Sequence, residues 1–377
     1  MKIAYATQFA ADDIHSWSGL VYHLRRALQD AGCEVVTIDS LREKGRIPGK
    51  LLELAYKQLA GKTFIRQRSA GMLEGFARQV EAGLAGTAAE VVFSPSSYPI
   101  ARLKPGLPTV FWTDASFAGM VDFYPFMTNL CKRTLRDGQR SEQAALDRCS
   151  LAIYSSEWAA RTVLENYRVD PAKVKVVPYG ASVPAGRTLS QVTASLEKRS
   201  AERCELLFMG VDWERKGGDI ALETAVELNR LGLPTRLHLV GCGPPGAVPD
   251  FVVRHGFLSK STPEGRARLD ALMSESHFLI VPSRAECYGL VFADASSYGL
   301  PSLAADVGGI PSVIRHGANG LLFPLAARGD AYAAQVMKLM ESPAKYRELA
   351  LGAFAEYEDR LNWRAAGAAA VALLKEL

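Results

Sequence analysis

PSRAECYGLVFADASSYGLPSLAADVGGIPSVIRHGANGLLF, residues 282–323, is the stretch that decides the fold of this chain. It begins within an apolar run, FLIVPS, which is short enough for a buried strand of a parallel sheet. A carboxylate (Glu286), a glycine (Gly289) and a helix-like segment from Leu290 follow, and a second carboxylate, Asp294, lies one turn into that segment. A helix N-terminus presents unpaired N–H groups and a positive dipole end, so the stretch predicts an anion site flanked by two carboxylates.

Short apolar runs alternate with segments of helical period along the chain, which is typical of parallel α/β construction. At 377 residues the chain is long enough for two domains, since one domain usually takes roughly 100–200 residues. The first predicted series of strands is KIAYAT, EVVTID, EVVFSP, TVFWTD, LAIYSS and VKVVPY. The second is ELLFMG, RLHLVG, a strand near 252–257, FLIVPS, PSLAAD and GLLF. The polar segment 181–203 lacks apolar periodicity and is predicted to connect the two domains.

Composition and cysteine usage exclude several classes of protein. A net charge of +4 is small for this length and gives no indication of nucleic acid binding. No apolar run is long enough to span a bilayer, and MKIAYATQF is predicted to be a first strand rather than a signal peptide. Six cysteines are scattered without C-x-x-C spacing: Cys33, Cys131, Cys149, Cys204, Cys242 and Cys287. This pattern predicts reduced thiols in a cytoplasmic protein and no zinc site.

The gap of seven residues between Glu286 and Asp294 resembles the E-x7-E motif of retaining family 4 glycosyltransferases, with Asp in the second place. Two acids on a loop and a helix surface also reach this spacing by chance, but here the strand, the glycine and the following GLPSLAADVGGIPSVIRHGANGLLF come in the order of the family. The resemblance covers nearly all of the second half and is looser over the first.

The resemblance implies the GT-B architecture, an α/β fold of two Rossmann-like doubly wound domains that face a central cleft. The domains are then an acceptor-side domain, 1–183, and a nucleotide-sugar-binding domain, 184–359, with the C-terminal helix, 360–377, packing back on the first. Ligands of open α/β sheets bind at the carboxyl ends of the strands. One domain would therefore hold the donor and the other the acceptor.

A basic pair, Arg215 and Lys216, follows the first predicted strand of the second domain in LLFMGVDWERKGGDIALE. The resemblance implies that the pair clamps the two phosphates of a nucleotide sugar, Arg through its planar fork and Lys as a point charge. A solvated surface pair is the alternative. Glu286 would contact hydroxyls of the transferred sugar, the backbone at Gly289 and Leu290 a phosphate, and Asp294 the ribose, directly or through water.

The remaining residues implied by the resemblance lie in both halves. The strand end VRHGFLS would line the base pocket through its backbone, and Gly19 would allow a phosphate close to a helix start. The donor-binding set is completed by Gly210, His255, Gly256, Phe257, Leu258, Cys287 and Tyr288. Asp114 follows the strand TVFWTD where many relatives carry a His, so it is the candidate for the missing catalytic contact. A helix N-cap is the competing role for Asp114.

The implied activity is the metal-independent, retaining transfer of a sugar from a nucleotide-diphosphate donor, a UDP-sugar by default, to an unidentified hydroxyl. The resemblance assigns the catalytic roles to Glu286, Arg215 and Lys216, with Asp114 as the candidate in place of the His of the relatives, and it implies no cofactor and no metal. The basic pair would stabilise the charge that grows on the leaving diphosphate. Three alternatives stay open: a sugar-nucleotide epimerase, a phosphorylase of the same fold, and a catalytically silent nucleotide-sugar-binding partner.

The segment 42–68, REKGRIPGKLLELAYKQLAGKTFIRQR, is strongly basic and mixes leucines with lysines at helical spacing. Its charge of +6 exceeds that of the whole chain, and its basic residues are Arg42, Lys44, Arg46, Lys50, Lys57, Lys62, Arg66 and Arg68. Interfacial helices share this pattern. The segment therefore predicts either a contact with an anionic or lipid-linked acceptor, with peripheral attachment at the inner membrane face, or a solvated helix packed by its leucines.

Overall fold

The computed structural model of the chain describes residues 1–43, 46–104, 106–183, 186–200 and 202–377. The described residues divide into two compact units, one formed by Met1–Pro178 with Trp363–Leu377 and the other by Tyr179–Asn362. The division after residue 178 lies five residues before the predicted end of the first domain at 183, and the predicted first residue of the second, Pro184, lies outside the described residues.

Among the described residues, twelve strands form two sheets of six, and every pairing is parallel. The strands of the first unit are β1 (Lys2–Ala6), β2 (Glu34–Ile38), β3 (Val91–Ser94), β4 (Thr109–Thr113), β5 (Leu151–Tyr154) and β6 (Val174–Val176). Those of the second are β7 (Cys204–Gly210), β8 (Thr235–Gly241), β9 (Val252–Gly256), β10 (Phe278–Val281), β11 (Ser302–Ala305) and β12 (Gly320–Phe323). The orders are β2-β1-β3-β4-β5-β6 and β12-β11-β10-β7-β8-β9, which confirms the predicted α/β fold class and both series of strands.

Most connections between successive strands contain a helix, as is usual for crossovers in parallel sheets; in the residues that the structure describes, those from β3 to β4 and from β8 to β9 do not. Before the chain enters the second unit, the helices of the first unit are α1 (Leu20–Asp30), α2 (Arg46–Ala60), α3 (Ala70–Leu84), α4 (Phe117–Met120), α5 (Lys132–Arg148) and α6 (Glu157–Asn166). The second unit contains α7 (Leu189–Lys198), α8 (Gly218–Arg230), α9 (Pro263–Glu275), α10 (Leu290–Ser296), α11 (Ile310–Val313), α12 (Gly329–Met340) and α13 (Pro343–Asp359). The last helix, α14 (Trp363–Leu374), returns to the first unit.

The packing of α14 explains why the end of the chain belongs to the first unit. Trp363 stacks on His23 of α1 with ring centroids 5.4 Å apart and planes 6° from parallel. Gly367 allows the two helices to approach closely, because a Cβ at this position would lie 2.4 Å from the carbonyl oxygen of Ala27. The residues 360–362, which the sequence assigned to this helix, belong instead to the second unit.

Segment 181–203, which the sequence predicted to connect the two domains, falls within the second unit and contains the helix α7. A capping box begins this helix: the Gln191 N–H donates to Thr188 Oγ1 at 3.3 Å, and the Thr188 N–H donates to Gln191 Oε1 at 2.9 Å. Val192 and Leu196, one turn apart, are buried. Two buried apolar residues in a helix of ten give a weak helical period, so the sequence pattern offers little from which to predict it.

A buried histidine, His277, precedes β10 and is 2% exposed. Its Nδ1 accepts from the Glu205 N–H at 3.0 Å, and its Nε2 donates to the Ser200 carbonyl at 2.8 Å. Both ring nitrogens are satisfied only in the neutral imidazole, since a proton on Nδ1 would face a backbone N–H. Burial accordingly lowers the pKa of His277 to about 4.

We expect acid to destabilise the second unit through His277. The unfolded chain takes up a proton near pH 6.5 and the folded chain only near pH 4, so stability is complete above 6.5 and is lost as the pH falls from 6.5 to 4. At 1.36 kcal/mol per pH unit the loss is about 3 kcal/mol. Urea unfolding of the chain at several pH values between 7 and 4 measures it.

The matched control is His316→Asn, which changes an exposed histidine. We expect His277→Asn to flatten the fall in unfolding free energy between pH 6.5 and 4, whereas His316→Asn leaves it as steep as in the unchanged chain. Equal steepness in both variants would show that His277 does not cause the acid sensitivity.

Candidate functional site

The chemically distinctive residues of the second unit gather at the carboxyl ends of its strands. Parallel strands end at the same edge of a sheet, and in this sheet β10, β7, β8 and β9 are neighbours. The basic pair follows β7, the segment 255–260 follows or ends β9, and Glu286 follows β10. This edge is where an open α/β sheet binds its ligands.

The structure brings Glu286, Arg215 and Lys216 together. Glu286 Oε2 forms an ion pair with Lys216 Nζ and lies 3.6 Å from Arg215 Nη1. The Arg215 guanidinium also donates to the Ala285 carbonyl at 3.0 Å and, through Nε, to Asp212 Oδ2 at 3.2 Å. Glu286 is 8% exposed, and both basic side chains are largely buried. Two cations are therefore held rigidly beside one carboxylate, in surroundings where charge interactions are stronger than at the surface.

Glycines make this arrangement possible. Gly217 has φ +72°, and a Cβ at this position would lie 2.1 Å from the Pro282 carbonyl oxygen, so only glycine lets the loop that carries Lys216 touch the end of β10. Gly289 has φ +91°, and its Cβ would lie 2.6 Å from the Phe292 ring. A Cβ on Gly210 would come within 2.9 Å of Lys216 Cγ.

Between Glu286 and α10, the side chains of Cys287 and Tyr288 are part of the core rather than of a ligand surface. They are 4% and 2% exposed, and the Tyr288 hydroxyl donates to the Tyr179 carbonyl at 2.6 Å. The helix α10 begins at Leu290, as the sequence predicts, with Gly289 as its N-cap residue. The donor-binding roles of Cys287 and Tyr288 therefore stay predictions, and they would involve backbone atoms rather than these buried side chains.

Asp294 is 1% exposed, so it is not the ordinary helix-surface acid of the chance alternative. Its Oδ1 accepts from the N–H groups of Ser182 (2.5 Å) and Val183 (3.2 Å), and its Oδ2 accepts from Ser182 Oγ (2.9 Å) and Lys260 Nζ (2.7 Å). The Asp294 side chain, one methylene shorter than the Glu of the family motif, is thus hydrogen-bonded to residues at the start of the second unit. A direct ribose contact of this carboxylate would require it to give up a donor.

The end of β9 presents two kinds of side chain. His255 Nε2 lies 3.0 Å from His238 Nδ1, and His238 Nε2 lies 2.9 Å from Glu205 Oε2. Desolvation, with the neighbouring His238, lowers the pKa of His255 to about 4. Gly256 turns the chain with φ +65°, and the Phe257 side chain that follows is 71% exposed. An aromatic ring this exposed at a strand end is suited to contact a flat ligand, while Leu258 is half-buried.

The first unit carries the two remaining predicted residues at the carboxyl ends of its own strands. Gly19 is buried, has φ +81° and is the N-cap residue of α1; a Cβ there would lie 2.9 Å from the Ile14 carbonyl oxygen. Asp114 directly follows β4 and is half-buried. It does not cap α4, because the N-cap residue is Ser116, whose Oγ accepts from the Gly119 N–H at 3.0 Å. The catalytic role of Asp114 stays a prediction.

Sequence reasoning missed Lys260 and Asp212. Lys260 lies in the loop between β9 and α9, where nothing in LSKSTPE marks one basic residue as special. Asp212 precedes the basic pair by three residues, and its carboxylate also accepts from the Arg215 N–H at 3.1 Å. A turn-forming acid three residues before a basic residue was the available signal for Asp212.

No helix among the described residues is both long enough and apolar enough to cross a bilayer. No group of three or more His, Cys, Asp and Glu side chains among them is arranged to hold a metal ion.

Comparisons with known proteins match both halves of the chain. The profile described as "Glycosyl transferases group 1" matches residues 203–342, and that described as "Glycosyltransferase Family 4" matches 19–183. The chain is 30% identical over 240 residues to the D-inositol 3-phosphate glycosyltransferase of Gordonia bronchialis, covering 59% of this chain and 51% of that protein. A protein of the same description from Mycobacterium leprae is 30% identical over 195 residues, 48% of this chain and 44% of that one. The chain thus spans about half the length of the curated relatives it matches.

Solved structures share the fold at low identity. Sucrose-phosphate synthase from Thermosynechococcus elongatus superposes with a TM-score of 0.70 at 18% identity, covering 100% of this chain and 98% of that one. Anabaena HepE, solved in complex with UDP-glucose, superposes with a TM-score of 0.65 at 15% identity over the full length of both chains. The likeness shows the predicted GT-B fold. The two profiles, which together match most of the chain, show that it belongs to the group 1 and family 4 glycosyltransferases.

Proposed function

We propose that the protein transfers a sugar from a nucleotide-diphosphate donor to an acceptor hydroxyl, with retention at the anomeric carbon and without a metal ion. The observation that carries the proposal is the contact of Arg215 and Lys216 with Glu286 at the carboxyl edge of the second sheet. Two cations fixed at a ligand-binding edge match the charge of a diphosphate.

The basic pair suits a leaving diphosphate for an electrostatic reason. When the bond between the anomeric carbon and the diphosphate oxygen breaks, negative charge grows on the leaving group, and cations already in place stabilise it without reorganising. Arg215 is held by Asp212 and by the Ala285 carbonyl, so its guanidinium is preorganised. These side chains supply the positive charge that a metal ion supplies in other diphosphate sites.

Glu286 has a second role in this proposal. In the structure it is the counter-ion of Lys216. A bound diphosphate would take over that ion pair and leave the carboxylate beside the transferred sugar, where it accepts from sugar hydroxyls and faces the positive charge at the anomeric carbon. The departing phosphate oxygen takes the proton of the attacking acceptor hydroxyl on the same face, so that the new bond forms with retention.

The donor and acceptor follow from chemistry and from the relatives. HepE was solved with UDP and with UDP-glucose, which favours a uridine carrier here. The curated relatives are named for an inositol 3-phosphate, which favours a phosphorylated acceptor. Phe257, with 71% of its surface exposed at the end of β9, is the proposed contact for the base.

Incubation of the chain with a panel of UDP-sugars and phosphorylated acceptors, in the presence of EDTA, tests the proposal. We expect UDP release with an axial donor to give an axial product, read by the anomeric proton coupling in NMR, and no loss of rate with the chelator. An inverted product or a strict metal requirement would contradict the mechanism. The absence of both transfer and donor hydrolysis, with every donor tested, would favour the silent binding partner.

We further propose that α2 attaches the protein to an anionic lipid surface. Leu51, Leu54 and Leu59 on this helix are 63%, 50% and 88% exposed. Lys50, Lys57 and Lys62, within or just after the helix, are exposed as well. Apolar side chains bordered by lysines are suited to the boundary between lipid headgroups and acyl chains.

Only part of the basic segment is available for such a contact. Arg66 is paired with Glu43 and Glu53, and Arg68 is a buried partner of Glu142. Lys44 lies outside the described residues. The three exposed lysines and the three leucines therefore carry the proposal.

Reversing Lys50, Lys57 and Lys62 to Glu is expected to abolish sedimentation with vesicles that contain phosphatidylserine, since each surface lysine contributes about 1 kcal/mol to such binding. The matched control reverses Lys198, Lys338 and Lys345, exposed lysines of the second unit, which gives the same net charge. Binding should weaken with salt, because exposed charges are screened over about 10 Å at 0.1 M. Equal loss in both triple variants, or no vesicle binding at low salt, would leave α2 as a solvated surface helix.

A further inference from the structure

Lys260 is the exposed partner of a buried carboxylate at the proposed donor site. Its ammonium donates to Asp294 Oδ2 at 2.7 Å and to Ser182 Oγ at 2.6 Å. The Lys260 side chain is 38% exposed, whereas that of Asp294 is 2% exposed. A ligand that approaches this pair from solvent therefore meets the cation before the anion.

The hydrogen bonds of Asp294 already occupy its carboxylate. Oδ1 accepts from two N–H groups and Oδ2 from a hydroxyl and an ammonium. Removing any of these donors would leave a buried polar group unsatisfied, which costs about 1–3 kcal/mol. A ribose hydroxyl could replace one of these donors only if its own hydrogen bond to Asp294 offset that loss of free energy.

Lys260 differs from Asp294 in how much of its hydrogen-bonding capacity is used. An ammonium carries three N–H bonds, and within the described part of the chain two of them are used. The buried Asp294 carboxylate neutralises the charge of the Lys260 ammonium and fixes its position, while the Lys260 side chain stays partly exposed. The third N–H can donate to a hydroxyl oxygen at the moment of binding.

We propose that Lys260, rather than Asp294, contacts the ribose hydroxyls of the donor nucleotide. The inference rests on the proposed function and deepens it, because it assigns the ribose contact to a cation in the loop after β9. Asp294 and Ser182 are then positioning residues that hold the ammonium. The position of Lys260, three residues after the exposed Phe257, places sugar and base contacts of one nucleoside on the same loop.

Binding of UDP and of 2′,3′-dideoxy-UDP, measured by titration calorimetry, tests the assignment in the full chain. A hydrogen bond to a charged group predicts that the unchanged chain binds UDP about 10-fold or more tightly than the dideoxy form. In Lys260→Met we expect this preference to fall to about 2-fold or less, with the affinity for the dideoxy form little changed. Comparing two ligands on one protein cancels any loss of stability.

Lys260→Met leaves a buried carboxylate, so the double variant Lys260→Met with Asp294→Asn provides a version without that charge. It should lose the preference as the single variant does, and Lys345→Met, an exposed lysine elsewhere, should keep it. A preference for UDP over the dideoxy form that survives in Lys260→Met but disappears in Asp294→Asn would overturn the proposal. The ribose contact would then belong to the Asp294 carboxylate. Binding of neither ligand to the unchanged chain would overturn the proposed function itself, whereas equal binding of both would overturn only the ribose contact.

Discussion

Lys216→Ala and Arg215→Ala are each expected to lower kcat/KM for the donor by about 10- to 100-fold while the fold is kept. Each side chain would make a charge-assisted hydrogen bond to the diphosphate, worth about 1.5–3 kcal/mol, and the interaction strengthens as the leaving group becomes more negative. The loss should therefore appear in kcat as well as in KM. Initial rates over a range of donor concentrations, at saturating acceptor, measure both.

Arg230→Ala is the matched control, because Arg230 is an exposed arginine at the far end of α8, the helix that begins just after the basic pair. We expect its kinetics to match those of the unchanged chain. Thermal unfolding of all three variants separates a lost contact from a lost fold. Donor kinetics that are unchanged in both Lys216→Ala and Arg215→Ala would remove the basic pair from the phosphate site.

Glu286→Gln is expected to separate transfer from nucleotide binding more sharply than any other single change. Transfer should fall by about 100-fold or more, since the carboxylate that faces the developing positive charge is lost while its size is kept. UDP should bind at least as tightly as before, because Lys216 no longer has to exchange this counter-ion for the diphosphate. Steady-state transfer and calorimetric UDP binding of the same preparation give the two values.

The exposed acid Glu341, which follows α12, provides the control substitution Glu341→Gln. It removes the same charge from the same unit and should alter neither value. Parallel losses of transfer and of UDP affinity in Glu286→Gln would contradict the division of roles, because they would place the carboxylate in nucleotide binding.

Much of the fold could be predicted from the sequence because parallel strands buried on both faces are continuous apolar runs. TVFWT and FLIV are entirely buried, and each forms the strand that its apolar run predicts. The contact of the basic pair with Glu286 was also foreseeable, since all three follow strands that end at one edge. These inferences use only local pattern and the direction of the chain.

The parts that could not be predicted depend on which long-range partner a polar group finds. Asp294 was expected to face a ribose, but the backbone N–H groups of Ser182 and Val183, more than 100 residues away in sequence, donate to it inside the unit. No local pattern carries that pairing. Lys260 was missed for the same reason, because its role depends on Asp294.

Titration of UDP into the unchanged chain and into the double variant Arg215→Ala with Lys216→Ala, both in EDTA, tests the central claim most directly. We predict that the unchanged chain binds UDP and that the double variant binds it about 100-fold more weakly, by loss of two charge-assisted contacts. Uridine, which lacks the diphosphate, should bind both proteins equally. UDP affinity that is the same in both proteins would contradict the claim that this edge of the second sheet holds the diphosphate of the donor.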